Sequence, residues 1–422
     1  MINQATLIII LFFVVVAAGI LSILGLVKNR TKKISTLRLF IQIAAVVGIF
    51  MGLLIGPFGA QPLLRPLGNA PRDNLVGGNL LAGQFSGGLF GQFPDGLSVP
   101  VLACYYPSGR TVTCPLWQLQ AYIFPFWSAN VPGYLVYYTT TGLEKLAIVV
   151  GLLVVMSIIL GRAFCGWLCP FGLYMDFLTR IRKLTGKRHL NFSKKGNSQL
   201  RQFSYIIIAV ILIMSFILGS QAITGTQIVP GTNVGGPQGT EAGITGFVNE
   251  PFCLVCPVRP LCILAEVALG TMKGSYVFKI VQGPFDTLGF YVTSINATIL
   301  ILVTILALAF RRFWCRFCPL GAITALFSAF TPFKQVALTK LQKNESTCTK
   351  CGMCKRVCPT QVTEIYDQKG GDVTVSNCIL CFRCVEMCPE KDTLKIEMAG
   401  KTVFSSRNWL ENSNPQTEAA AD

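Results

Sequence analysis

The chain has 422 residues, of which 52% are hydrophobic and only 13% charged, against about 25% charged in a soluble globular protein. Its formal net charge is +17, and it holds one histidine against 17 cysteines. Such a composition excludes a soluble enzyme over most of the length and a bis-histidine haem within the chain, and it leaves cysteine to carry the chemistry.

Five stretches are apolar over the roughly 20 residues needed to cross about 30 Å of hydrocarbon: 5–27, 39–58, 146–168, 203–223 and 287–310. The first lacks a basic leading region and a small-residue cleavage site, so it reads as an uncleaved anchor. Lys and Arg are unevenly placed between the spans: 5, 9 and 6 in 28–38, 162–201 and 311–343, but 3 each in 59–143 and 224–286. The richer segments are therefore expected on the cytoplasmic side, with the N-terminus outside and the C-terminus inside. Residues 1–343 carry 27 Lys and Arg against 8 acids, and 344–422 carry 9 against 11. The basic excess thus belongs to the membrane part and reads as topology rather than nucleic-acid binding.

The fold class expected is an α-helical integral membrane protein of about five transmembrane helices, closed by a small α+β ferredoxin-type domain. Its expected parts are two N-terminal helices (1–58), an outer Gly/Pro/aromatic-rich loop (59–143), a three-helix membrane core (144–335), the soluble domain (344–400) and a polar tail (401–422). Between the fourth and fifth spans, 260–272 is apolar but too short to cross and reads as interfacial. On the inner side, 171–188 reads as an amphipathic helix on anionic lipid, with Asp176 paired to Arg180 at i,i+4. His189 is expected to be solvated, Glu266 to reach the interface, and Asn296 to serve as helix–helix glue or as a ligand.

Cysteine motifs follow in chain order. Cys104 and Cys114 stand in the outer loop, where one disulfide between them is the plain expectation. Gly161-Arg162-Ala-Phe164-Cys165-Gly-Trp-Leu-Cys169-Pro-Phe-Gly172 ends the third span, and Arg311-Arg312-Phe-Trp314-Cys315-Arg-Phe-Cys318-Pro-Leu-Gly321 ends the fifth. Both have Arg three residues before the first cysteine, an aromatic just before it, and Cys-Pro-x-Gly after. Together they offer four thiolates to one membrane-face metal site, an iron–sulfur cluster or another centre, with Arg162 and Arg312 offsetting its charge. Between them, Cys253, Cys256 and Cys262 echo the pattern on the expected outer side, either as structural cysteines or as ligands of an outer cluster with one loop cysteine.

At the C-terminus, Cys348-x2-Cys351-x2-Cys354-x3-Cys358-Pro359 is repeated as Cys378-x2-Cys381-x2-Cys384-x3-Cys388-Pro389. Three thiolates at this spacing wrap one [4Fe–4S] cubane while the fourth reaches the other. Cys348, Cys351, Cys354 and Cys388 are therefore expected on one cluster, and Cys378, Cys381, Cys384 and Cys358 on its partner. Zinc sites use paired CxxC instead.

Membrane Cys-x3-Cys-Pro and Cys-x2-Cys-Pro motifs followed by a two-cluster ferredoxin resemble the NapH/NosR/CcoG-type family of membrane polyferredoxins, over roughly 143–395. That resemblance implies a prokaryotic cytoplasmic-membrane protein relaying electrons between cytoplasmic or quinol-type carriers and a reductase or cytochrome partner. The alternative it implies is reduction or assembly of a metal such as copper. It also implies that Cys165, Cys169, Cys315 and Cys318 are cluster or metal ligands. No nucleotide fingerprint or acid–base pair is visible, so the chain reads as a non-catalytic component of an oxidoreductase complex.

Overall fold

The computed structural model describes residues 4–26, 33–50, 101–103, 114–123, 143–186, 189–224, 251–269, 286–329 and 337–406. Cys104, most of the expected outer loop, the aromatic run 134–138 and the tail beyond 406 lie outside the described residues. The chain divides into two compact units: 1–12, 45–153 and 203–306 form one, and 13–44, 154–202 and 307–422 the other.

The expected spans correspond to helices Gln4–Leu26, Lys33–Phe50, Leu143–Leu160, Lys194–Thr224 and Asp286–Ala309. Among the described residues one helix, over Lys194–Ile217, is long and apolar enough to cross a membrane; Leu11–Leu24, Ile34–Phe50, Leu146–Leu160 and Ser294–Ala309 are apolar but shorter. The expected 146–168 span stops at Leu160 because Gly161 turns left-handed (φ +55°), and Cys165 lies on a separate one-turn helix, Ala163–Trp167.

In the second unit the C-terminal segment forms a four-stranded antiparallel sheet in the order β2-β1-β3-β4, from Gly371–Asp372 (β2), Thr339–Lys343 (β1), Leu394–Met398 (β3) and Lys401–Ser405 (β4). The alternation of Thr339, Leu341 and Lys343 inward against Lys340 and Gln342 outward is the period-2 signature of a half-buried strand. β1 precedes the expected 344–400 domain, and β4 occupies the start of the expected polar tail. Ser406, just past β4, donates its backbone N–H to Leu394 O at 2.8 Å. The sheet's core gathers Leu341, Val362, Ile365, Val373, Val385, Leu394 and Ile396, joined by Ile34 from the Lys33–Phe50 helix. Ser35 in the first turn of that helix donates its backbone N–H to the buried Glu386 carboxylate at 2.8 Å, and its hydroxyl bonds the same group. A carboxylate suits the free N–H groups and positive dipole end of a helix's first turn.

Three polar expectations are corrected. Asp176 pairs with Arg38 at 2.7 Å and Arg312 at 2.6 Å rather than with Arg180; burial brings both arginines to it, whereas Arg180 is exposed. His189 is half-buried rather than solvated, and burial, then the charges of Arg311 and Arg182, hold its pKa down. Glu266 is fully buried rather than interfacial, because Arg259, Cys262 and Glu266 form the inward face of helix Arg259–Ala268.

Candidate functional site

In the ferredoxin-like segment the backbone repeats as the sequence does. The residues before and after the middle cysteine of each run are left-handed: Lys350 and Gly352 in the first, Leu380 and Phe382 in the second, with φ between 47° and 71°. Alternating hands turn successive N–H groups inward, the concave arrangement found at many iron–sulfur sites. One cavity is lined by Cys348, Cys351, Cys354 and Cys388. A second is lined by Cys358, Cys378, Cys381 and Cys384, and Cys354 lines both. Cys358 Sγ accepts the Val362 N–H at 3.2 Å. Cys351 is exposed, whereas Cys381 and Cys384 are buried.

The two short motifs meet in a reciprocal exchange. Arg162 of the first donates to the Cys315 carbonyl at 3.0 Å, and Arg312 of the second donates to the Cys165 carbonyl at 2.9 Å. Each arginine also lies over the terminal glycine of the opposite motif. A Cβ on Gly321 would stand 2.5 Å from Arg162 Nη2, and one on Gly172 would stand 3.4 Å from Arg312 Nη2. The shared Arg and Gly positions of the repeat are thereby explained: each half holds the other's cysteine turn. The exchange is not fully symmetric, because Arg312 alone finds a carboxylate, Asp176.

Cys165, Cys169, Cys315 and Cys318 come together here, each half-buried. Cys169 caps helix Pro170–Leu184, and Cys318 immediately precedes helix Pro319–Ala329. Proline at the first helical position loses no bond. The backbone at Gly172 and at Gly321 hydrogen-bonds to the preceding thiols. Burial, then the neighbouring Cys165 and Cys315, push the Cys169 thiol up to about 12. Burial also raises Cys318 and Cys315, the latter against the lowering charge of Arg312. Cys169, Cys315 and Cys318, raised in this way, hold their protons until a cation replaces them, the behaviour of a metal or cluster site.

The residues between the paired cysteines differ between the motifs because they grip different ferredoxin loops. From the first motif, Trp167 Nε1–H donates to Leu380 O at 2.8 Å, and a Cβ on Gly166 would stand 2.2 Å from Ile379 O. From the second, buried Arg316 donates to Thr360 O at 2.9 Å, Pro359 O at 3.2 Å and Asn197 Oδ1 at 2.6 Å. Both contacted loops carry cysteines of the second cavity, so that cavity, not the first, abuts the four-thiol group. Sequence reasoning missed this cradle and Arg38, Gln42 and Asn197 behind it. A charged residue inside Cys-x2-Cys and polar Gln42 inside an apolar run were the available signals.

In the other unit, Cys114, Cys256 and Cys262 are buried and Cys253 half-buried. Cys114 is near enough to Cys256 that burial and then Cys114 push the Cys256 thiol up to about 12. Asn296 donates to the Cys253 carbonyl at 3.4 Å, which makes it a bridge between segments. Among the described residues, no three His, Cys, Asp or Glu side chains converge on a point that a single metal ion would fill.

Fold and thiol arrangement together define a polyferredoxin-like chain. The profile described as a 4Fe-4S binding domain matches residues 145–188 and 295–336, one paired motif in each. The profile of a 4Fe-4S dicluster domain matches 340–389, the ferredoxin run. An uncharacterized protein of Methanocaldococcus jannaschii, MJ0750, is 29% identical over 253 residues, 59% of this chain and 77% of its own. The putative electron transport protein YccM of Escherichia coli is 24% identical over 262 residues, 61% of this chain and 58% of its own. Protein NirI of Paracoccus denitrificans is 24% identical over 224 residues, 52% of this chain and 24% of its own. No solved structure matches the chain.

Proposed function

We propose that the chain is a membrane-bound electron-transfer subunit of the NapH/NosR/CcoG type, with two [4Fe–4S] clusters in the ferredoxin segment and a third centre shared by the paired motifs. Cys348, Cys351, Cys354 and Cys388 hold the first cluster, and Cys358, Cys378, Cys381 and Cys384 the second. Cys165, Cys169, Cys315 and Cys318 hold the shared centre. Such clusters supply one-electron transfer without bond making. The protein's part is to fix their order, exclude water and balance charge. Arg162 and Arg312 place positive charge among the shared thiolates, and Asp176 keeps Arg312 oriented. Exposed Cys351 sets the first cluster at the surface, where a soluble carrier is met.

The observation that carries this reading is the grip of Gly166, Trp167 and Arg316 on the second cavity's loops. It lines up surface cluster, inner cluster and shared centre in one compact unit. Membrane residence is supported by the apolar outward face of the Lys194–Thr224 helix, where Ile206, Val210 and Ile213 are each more than half exposed. A cytoplasmic ferredoxin and an outside N-terminus follow from the Lys and Arg distribution. The partners would be a redox protein and a quinol-type carrier.

Cys165→Ser and Cys315→Ser, purified anaerobically, test the shared centre. Each is expected to abolish the same EPR or Mössbauer component while the ferredoxin signals persist. Loss of different components from the two variants would show that each motif works alone.

A further inference from the structure

Six cysteines in the chain are followed directly by proline, at 114, 169, 256, 318, 358 and 388, where 17 cysteines and 22 prolines would give about one such pair by chance. Four of the six belong to the cavities and the four-thiol group already described. The remaining two, Cys114 and Cys256, are neighbours in the other unit.

Their surroundings repeat the shared centre's construction. Cys114 immediately precedes helix Pro115–Ile123, as Cys169 and Cys318 precede theirs. The backbone at Val258 and Arg259 hydrogen-bonds to the Cys256 thiol, and the residue three after the cysteine is used as at Gly172 and Gly321. A buried arginine lies beside the sulfur, Arg259 here and Arg312 there. Helix Pro115–Ile123 is tied to the cysteine loop through the fully buried Gln120, which accepts the Phe252 N–H at 3.0 Å. Cys262 is 1% exposed on the inward face of helix Arg259–Ala268, a face otherwise made of Arg259 and Glu266. That helix turns charge and sulfur inward and Leu264 outward, the reverse of a helix folded around an apolar core.

We infer that Cys114, Cys253, Cys256 and Cys262 hold a further iron–sulfur cluster, separate from those of the ferredoxin segment and the paired motifs. This goes beyond the proposed function, which needs none of these residues. Four thiolates are the ligand count of one cluster, and Arg259 offsets its negative charge. Cys114 is then a ligand, and the disulfide expected from sequence between Cys104 and Cys114 does not form.

Iron and acid-labile sulfide per chain are measured on the anaerobically purified full-length protein and on Cys114→Ser, Cys256→Ser, Cys104→Ser and Cys381→Ser. Cys114→Ser and Cys256→Ser are each expected to lose about four irons and four sulfides, the content of one cubane, while Cys104→Ser loses none. Unchanged iron in Cys114→Ser, a stoichiometric zinc ion in place of iron, or a Cys104–Cys114 bridge by peptide mass mapping would each overturn the inference. Should the variants fail to fold, alkylation of the native protein decides: Cys114 and Cys256 resist until iron is chelated, and modification before chelation overturns it. Cys381→Ser reports on the ferredoxin alone, so the proposed function and this inference fail separately.

Discussion

Asp176 shows how a single side chain anchors the arginine exchange between the paired motifs. Burial by itself would raise its pKa, but the guanidinium of Arg312, then that of Arg38, hold the carboxyl far below the ordinary carboxylate range. A depressed folded-state pKa contributes stability above the unfolded value of about 3.9 and loses it as pH falls toward the folded value. Asp176→Asn leaves two buried cations without their counter-charge, and removing one partner of a buried pair costs about 3–5 kcal/mol. Thermal unfolding is expected to show that loss at neutral pH, together with a weaker acid dependence below about pH 4 than the parent. Equal acid dependence in both proteins would remove Asp176 from this role. A second residue-scale expectation concerns the left-handed turns. Gly352→Ala places a Cβ at φ +71° with only Tyr366 nearby, at 4.0 Å, and is expected to cost about 1–2 kcal/mol by its backbone alone. The corresponding Phe382 carries the same conformation, and there its ring packs against Trp167 at 5.8 Å between centroids.

At the scale of elements, the contact between motif and ferredoxin loop joins the main chain at Gly166 to the side chains of Trp167 and Arg316. Gly166→Ala would drive a methyl into the Ile379 carbonyl, and neither backbone is free to yield. The variant is expected to keep its ferredoxin clusters but to loosen the junction by about 1–3 kcal/mol, as overpacking does. Faster amide exchange around 377–381, with unchanged iron content, is the measurement. The ferredoxin run is legible in the sequence because its spacing is a local code read by three consecutive turns. The partnership of the paired motifs is legible for the same reason, through repetition. What local spacing does not carry is which distant residue completes a group. Helical spacing matches Asp176 to Arg180 along its own helix, whereas Arg38 and Arg312, 138 and 136 residues away, supply the charges. β1 and β4 escape a sequence reading because Thr339–Lys343 and Lys401–Ser405 are too short and polar to announce themselves without a pairing strand.

At the scale of the whole molecule, the Lys and Arg distribution makes a claim that side-specific chemistry tests. The ferredoxin segment and the 162–201 segment are expected on one side of the membrane, and 59–143 on the other. Ser413→Cys and Ser108→Cys each place a lone reporter thiol in a cysteine-depleted background. An impermeant thiol reagent applied to intact cells is expected to spare the first and to label the second. The opposite pattern would invert the topology and place the surface cluster outside.

The closeness of Gly166 to the Ile379 carbonyl has a kinetic meaning as well as a steric one. Electron tunnelling falls off steeply with the gap between donor and acceptor, and between the proposed shared centre and inner cluster that gap is bounded in part by two peptide segments in touch. Replacing neighbouring side chains can therefore shift the potentials on either side while the tunnelling length stays where the main chain sets it. Lineages of this chain could match different donors and acceptors by changing driving force alone, at a constant electronic coupling.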